Sequence, residues 1–270
     1  MKITILGCGG SGGVPLASGE PGGTWGACDP TNPKNRRRRV SIHVEEGATS
    51  LLVDASPDLR LQLLDNAITR LDAVLFSHAH GDHCHGIDDL RALAYGQGGP
   101  IDAYMDAATR ERLTRRFDYA FASSRDPASL YPPILADRVA DGPFRVGEVT
   151  VVPFVQGHGA ETSLGYRFGP AAYSTDLSDL DEAAFAALAG VRLWIVDCLR
   201  FRPHPTHATF DQVLEWVARV KPERAILTHM NHEVDYDEIA RRCPTGVEPG
   251  YDGLVVEVAE EAENTVISDR

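Results

Sequence analysis

The chain has 270 residues, 43% of them apolar and 24% charged, which is ordinary for a soluble globular protein and allows one large α/β domain or two small ones. Its formal net charge is −13, so a nucleic-acid polymer would be repelled at long range unless a strong basic patch intervened. No apolar run reaches the ~20 residues of a membrane helix, so no membrane partner is expected.

In chain order, Met1-Lys2-Ile3-Thr4-Ile5-Leu6-Gly7 reads as a first strand at 2–6 rather than a secretory leader. A Gly-rich loop follows, Gly7-Cys8-Gly9-Gly10-Ser11-Gly12-Gly13-Val14-Pro15. Strands are predicted at 39–45 and 50–54, with Glu46-Gly47 turning between them. Ahead of them, Arg36-Arg37-Arg38-Arg39 is the one basic run. It reads equally as a solvated loop or as a patch attracting anions. A helix at 57–66 has Pro57 near its start, and a buried strand at 73–77 runs out into a polar loop. Ile87–Tyr95 reads as a helix with Asp88 and Asp89 in its first turn. A strand at 101–105 and a helix at 106–117 close the first half. Strands at 144–155, 163–168 and 171–174 then lead to helices at 181–189 and 209–219, alternating with strands at 192–197 and 224–228. A last strand falls at 253–258, and the acidic tail Glu260–Arg270 is expected to fray. Strands followed by helices, twice over, indicate two similar halves.

The loop leaving the strand at 73–77 is the chemical centre of the sequence. Ser77-His78-Ala79-His80-Gly81-Asp82-His83 packs three imidazoles and a carboxylate into six positions, His78 to His83. Imidazole with carboxylate suits Zn, Mn, Fe or Co. A solvated His-rich loop is the bland alternative, weakened by the interleaved Asp and by the position at a strand end. Further single residues stand just past apolar or β-branched runs: Asp54, His158 in Gln156-Gly157-His158-Gly159, Asp176 in Tyr173-Ser174-Thr175-Asp176, and His229 in Leu227-Thr228-His229. The five cysteines, Cys8, Cys28, Cys84, Cys198 and Cys243, are scattered and form no Cys-x-x-Cys. That spacing argues for a reducing, cytoplasmic compartment.

These segments, in this order, resemble the His-x-His-x-Asp-His pattern of the metallo-β-lactamase fold. A lone His-x-His is weak evidence; the ordered set is strong. The resemblance implies a four-layer αβ/βα sandwich, here a single domain over 1–270. The residue pattern alone would give only α/β. It also implies two divalent metal ions, Zn or Mn, about 3.5–4 Å apart and sharing a hydroxide. His78, His80 and His158 would take one ion, Asp82, His83 and His229 the other, and Asp176 would bridge; Asp82 also belongs to the catalytic set. Asp54 matches the family's first acidic position, where it either orients a ligand imidazole or caps the following helix.

The N-terminal Gly-rich loop, Trp25-Gly26-Ala27-Cys28, His207 in Pro205-Thr206-His207-Ala208-Thr209, the pair His229 and His232, and Tyr251-Asp252-Gly253 narrow the resemblance. They are similar to the PhnP-like cyclic phosphodiesterases. In that subfamily the residue matching His207 is catalytic, and its role fits proton delivery to an alkoxide leaving group. Arg91 matches a subfamily Arg and could fork onto a phosphate, against the plain reading of a solvated helix residue; Arg200 and Arg202 are weighed the same way. His204 reads as a loop residue, His43 as structural, and His85 matches no ligand. Relatives can carry a further zinc on clustered cysteines of the N-terminal loop. Only Cys28 remains here beside His232, so none is expected.

The leading expectation is a dinuclear metal-dependent phosphodiesterase hydrolysing a small, cyclic phosphodiester through a metal-bridging hydroxide. The expected partner is a small phosphorylated substrate, and a homodimer is left open. A tRNA 3′-processing endonuclease is disfavoured by the lack of a basic arm. A PqqB-like accessory or carrier protein is the non-catalytic alternative. Lactonase, glyoxalase II and β-lactamase share the first motif, but His207 and the PhnP-like ends count against them.

Overall fold

The computed structural model describes residues 1–123 and 131–259; the tail beginning at Glu260 lies outside them. The first half runs β1 (Lys2–Gly7), β2 (Ser41–Glu46), β3 (Thr49–Val53), α1 (Leu59–Asp65), β4 (Ala73–Leu75), α2 (Gly81–Cys84), α3 (Arg91–Gln97), β5 (Ile101–Met105), α4 (Ala107–Arg116) and β6 (Leu135–Val139). The second runs β7 (Phe144–Val146), β8 (Val149–His158), β9 (Glu161–Phe168), β10 (Ala171–Ser174), α5 (Glu182–Leu188), β11 (Leu193–Asp197), α6 (Phe210–Val220), β12 (Arg224–Thr228), α7 (Tyr236–Arg242) and β13 (Val247–Pro249). The last strand, β14 (Val255–Glu257), returns to the first half.

Among the described residues these strands form two seven-stranded sheets, ordered β14-β1-β2-β3-β4-β5-β6 and β13-β12-β11-β10-β9-β8-β7. Read from β14 and from β7, each sheet has three antiparallel pairings followed by three parallel ones. The two halves therefore repeat one plan, as the element order predicts.

Strand periodicity sorts side chains between layers. From β3 and β4, Leu51, Val53, Ala73 and Leu75 join the central core with Leu164, Tyr166, Phe168 and Val196 of the second sheet. The intervening Leu52 and Val74 face outward, against Leu59 and Leu63 of α1 and Leu113 of α4. On the far side, Leu188 of α5, Val213 and Trp216 of α6 and Ile239 of α7 pack on the second sheet. The result is the αβ/βα sandwich. β10 and β11 are buried along their whole length, as parallel strands covered on both faces must be. Side-chain caps begin the longer helices: Asp106 accepts from Thr109 N at 2.6 Å, Asp181 from Ala184 N at 2.8 Å and Asp235 from Glu238 N at 3.0 Å. No helix among the described residues is long and apolar enough to cross a membrane.

The elements differ from expectation where the pattern is short or broken. Residues 144–155 are two strands, because Gly147 at φ 54° turns the chain between β7 and β8. The helix expected at 87–95 starts as a 3-10 turn, Ile87–Leu90, before α3. α2 forms one helical turn inside the His-rich loop. β6, β13 and α7 carry too little periodic apolar signal to be read from the chain.

The basic run is largely engaged. Arg38 pairs with Asp65 at 2.6 Å and Arg39 with Asp58 at 3.0 Å. Arg36 lies over the Trp25 ring. Arg37 is 2% exposed and donates to the carbonyls of Val234 at 2.8 Å and Asn231 at 3.1 Å. Beside it the Cys28 thiol donates to Val234 O at 3.3 Å.

Candidate metal centre

Loops at the carboxyl ends of the strands from both sheets converge on one cleft. β3 ends in Asp54, β4 in the His-rich loop, β8 in His158, β10 in Asp176, β11 in Asp197 and β12 in His229. Asp54 (φ 63°), Asp176 (φ 52°) and His229 (φ 57°) are all left-handed, a conformation non-glycine residues avoid. Each costs on the order of 1–3 kcal/mol and is sustained by surrounding structure. Here the two sheets and their core supply that support.

Among the described residues, possible ligand atoms gather into three groups; two share Asp176, His78, His80 and His158 with Asp176 and Asp82, His83 and His229 with Asp176, and the third joins Asp197, His207 and His229. Within each group the atoms lie within 4.8 Å of one another. Asp176 divides its oxygens between the two groups that share it. Its Oδ1 stands 3.8 Å from His78 Nε2 and 3.8 Å from His158 Nε2, and its Oδ2 3.1 Å from His83 Nε2 and 3.3 Å from His229 Nε2. Asp82 Oδ2 lies 3.3 Å from His83 Nε2 and 3.6 Å from His229 Nε2. All seven expected ligands are thus brought together, with the division the family pattern implies.

Hydrogen bonds behind the ligands set their tautomers. Ser77 Oγ gives its proton to Asp54 Oδ2 at 2.8 Å, so toward His78 Nδ1, 3.0 Å away, it accepts. His83 Nδ1 donates to Asp54 Oδ2 at 2.7 Å and His158 Nδ1 to Thr206 O at 2.8 Å. In each case the Nε2 atom is left facing the cleft. The Nε2 atoms of His78, His83 and His229 are buried without any hydrogen-bond partner. Converging buried nitrogens of this kind are costly unless something binds them, and a divalent cation answers that need. The donors are nitrogen and oxygen only, so the set fits Zn, Mn, Fe or Co. Asp54 orients His83 and anchors Ser77 N at 2.8 Å. It does not cap α1, whose N-cap is Asp58.

The charges are strongly coupled. Burial opposes the imidazolium forms of His83 and His229, but nearby carboxylates, Asp176 foremost, outweigh it. His83 is held well above the usual imidazole range and His229 at about 9. Burial likewise opposes the carboxylates, yet the imidazoles hold Asp176 and Asp82 well below theirs. Burial and the neighbouring His83 push His78 down, and burial lowers His158. The upward shifts of His83 and His229 mean that a cation at their Nε2 atoms must compete with a proton. Titrating metal-free protein with Zn²⁺ in buffers of different ionisation enthalpy is expected to show net proton release, and affinity should rise with pH toward about 9. Heats that do not depend on the buffer would contradict this charge arrangement.

His207 reaches the same cleft. Its Nδ1 donates to Asp197 Oδ2 at 2.8 Å, and its Nε2 lies 3.8 Å from Asp176 Oδ1. The ring stacks on His229 with centroids 4.8 Å apart and meets His158 edge-on at 5.0 Å. Asp197 is the residue that sequence reasoning missed. It is fully buried, and its Oδ2 also accepts from Leu177 N at 3.2 Å. The signal was present: Leu193-Trp194-Ile195-Val196-Asp197 ends an apolar run in a carboxylate, as Leu51-Leu52-Val53-Asp54 does.

Arg91 is not brought to the cleft. It stands on the exposed start of α3 and pairs with Asp88 Oδ1 at 2.8 Å, three residues back, so the phosphate fork expected there has no support from its position. Arg200 and Arg202 both pair with Glu233, at 3.2 and 2.6 Å. His204 accepts from Thr206 N at 3.3 Å, bracing the turn whose carbonyl holds His158. His43 bonds Ser50 Oγ at 2.7 Å on the β2–β3 ladder, and burial pushes its pKa down to about 4. His85 belongs to neither ligand group and meets the Phe117 ring edge-on. The cleft itself is about 290 Å³, bounded by His80, Asp82, His158, Asp176, His207 and His229, with Ser11, Ala160, Glu161 and Thr206 at its margins.

Residues 49–230 match the model of the β-lactamase superfamily domain. The chain belongs to that superfamily. A crystal structure described as a new diphosphatase from the PhnP family superposes with a TM-score of 0.85 at 30% identity, covering 96% of this chain and 98% of that one. The chain is accordingly a PhnP-like member of the metallo-β-lactamase fold. Zn²⁺-bound PqqB from Methylobacterium extorquens shares the fold, with a TM-score of 0.73 at 19% identity over 96% of this chain and all of that one. An octanoyltransferase from Porphyromonas gingivalis is 32% identical over 259 residues, 94% of this chain but 51% of the relative. The chain thus spans about half the length of that curated relative.

Proposed function

We propose that this PhnP-like protein is a dinuclear, metal-dependent phosphodiesterase acting on a small, cyclic phosphodiester. One observation carries the reading: Asp176 turns one oxygen to each ligand group while His207, backed by Asp197, stands beside it. Two bound cations, Zn or Mn, would polarise a phosphoryl oxygen and make water a better nucleophile near neutral pH. The chain's own part is to fix that geometry. Asp54, Ser77 and Thr206 O hold the ligand imidazoles in one tautomer. Asp197 takes the Nδ1–H of His207, which leaves Nε2 to move a proton at the cleft. A ring-opening phosphodiester hydrolysis expels an alkoxide, which needs a proton. The small cleft and the acidic chain favour a small substrate over a nucleic-acid polymer.

The PhnP-family relative described as a diphosphatase supports a second reading, hydrolysis of a phosphoanhydride. The same centre would serve, but a phosphate leaving group needs less help from an acid. Turnover of a 2′,3′-cyclic nucleotide, a linear diester and a nucleoside diphosphate by metal-replete protein decides between them. Cyclic diester preference supports the proposal, and exclusive phosphoanhydride cleavage rejects it in favour of the second reading. Elemental analysis of the same preparation is expected to give close to two divalent ions per chain, with chelation abolishing activity. A single ion under metal-replete conditions would sink the dinuclear arrangement.

A further inference from the structure

The proposed substrate is an anion, yet among the described residues no Lys or Arg lines the cleft. A guanidinium is held one residue back from that lining. Arg112 of α4 makes a two-pronged pair with Glu161, Nη1 to Oε2 and Nη2 to Oε1, both at 3.0 Å. Glu161 opens β9 just past the His158 loop, lines the cleft, and lies 3.6 Å from His80 Nε2. One carboxylate therefore separates the guanidinium from the His80 edge of the ligand cluster. Arg112 and Glu161 also line a second cavity of about 190 Å³ that reaches His78 and Ala79; Glu161 borders both spaces, while Arg112 borders only the second. Both side chains are solvent-accessible, 51% and 42% exposed.

We propose that Arg112 is the residue that binds the charged phosphate group of the substrate, and that Glu161 holds it at the rim until the substrate arrives. This rests on the phosphate-ester reading above. An exposed ion pair is weakly held and screened, so a guanidinium can exchange one planar partner for another at little cost. Carboxylate and phosphate offer the same two-oxygen edge to its fork. Before exchange, Glu161 without Arg112 would place an uncompensated negative charge at the mouth of a site meant for an anion. The pairing masks Glu161 until substrate binds; after the exchange this half-exposed carboxylate is left to water, and Arg112 supplies the positive charge that the described lining lacks.

The test uses two readouts on zinc-loaded, full-length protein: calorimetric titration with inorganic phosphate, and KM and kcat on bis(p-nitrophenyl) phosphate. Arg112→Gln is expected to weaken phosphate binding and raise KM by about tenfold, with kcat and metal content little changed. Glu161→Gln, which frees the guanidinium, is expected to tighten phosphate binding. The double variant should fall back to the level of Arg112→Gln, because the gain passes through Arg112. Unchanged phosphate affinity in Arg112→Gln overturns the proposal. So does equal weakening by both single variants, which would make the pair a structural brace, or loss of metal from Glu161→Gln, which would make Glu161 a ligand. If the wild-type holoenzyme fails to turn over any diester, the phosphodiesterase reading falls, while the phosphate titration still decides the role of Arg112.

Discussion

Asp176→Ala is expected to lose or strongly weaken one metal ion and to reduce turnover far more than the roughly 10–100-fold that follows loss of an outer-sphere partner. The carboxylate is buried with one oxygen toward each ligand group, 3.8 Å from His78 and His158 on one side and 3.1 and 3.3 Å from His83 and His229 on the other. Removing it leaves two cations facing each other without the charge between them. Ala also fits the φ of 52° at this position poorly, so Asp176→Asn is the paired variant: Asn tolerates that backbone and keeps the shape while deleting the charge. Both are expected to retain the native circular dichroism spectrum, because the β10 and β11 strands behind the loop are fully buried. Metal analysis and turnover on the two variants check this. Near-native activity in Asp176→Asn would show that the charge of Asp176 is not what holds the centre together.

Much of this centre was legible in the sequence because a strand-end ligand leaves a mark: an apolar run that stops at His or Asp. Asp54, His158, Asp176 and His229 each follow such a run. The structure adds a reason for the repetition. β3 and β10 occupy the same place in the two sheets, and each ends in an Asp with left-handed backbone, Asp54 at φ 63° and Asp176 at φ 52°. One half uses its carboxylate to orient His83 and the other places it between the ligand groups. What escaped was relational. Asp197 ends an apolar run like the others, but nothing in sequence ties it to His207 ten residues later. Arg112 and Glu161 are 49 positions apart, and only the packing of α4 beside the β8–β9 turn brings them together. Arg91 shows the converse: a residue matched by position alone, which the structure pairs with Asp88 on an exposed helix start. The edge strands β6 and β13 were missed for a simpler reason, being short, charged or Pro-containing, as edges often are.

His207→Ala is expected to leave metal content intact and to lower kcat by about 10²–10⁴, as loss of a general acid does. The geometry aims the residue at the cleft: Nδ1 is fixed on Asp197 Oδ2 at 2.8 Å, and Nε2 opens 3.8 Å from Asp176 Oδ1, so a proton carried on Nε2 faces the substrate. If that proton goes to the leaving oxygen, the defect must depend on the leaving group. An alkyl or ribosyl phosphodiester, which expels a strongly basic alkoxide, should suffer the full loss. A p-nitrophenyl ester, whose leaving group is already stable as an anion, should lose far less. Asp197→Asn should follow the same pattern more weakly, because the amide can present its NH₂ to Nδ1 and favour the wrong tautomer. A merely structural His207, filling the space between the His158 and His229 rings, would slow both substrates alike. Loss of metal would instead make it a ligand, since its Nε2 lies as near to Asp176 as those of His78 and His158 do. Only the leaving-group-dependent loss supports proton delivery, and with it the phosphodiesterase reading over phosphoanhydride cleavage.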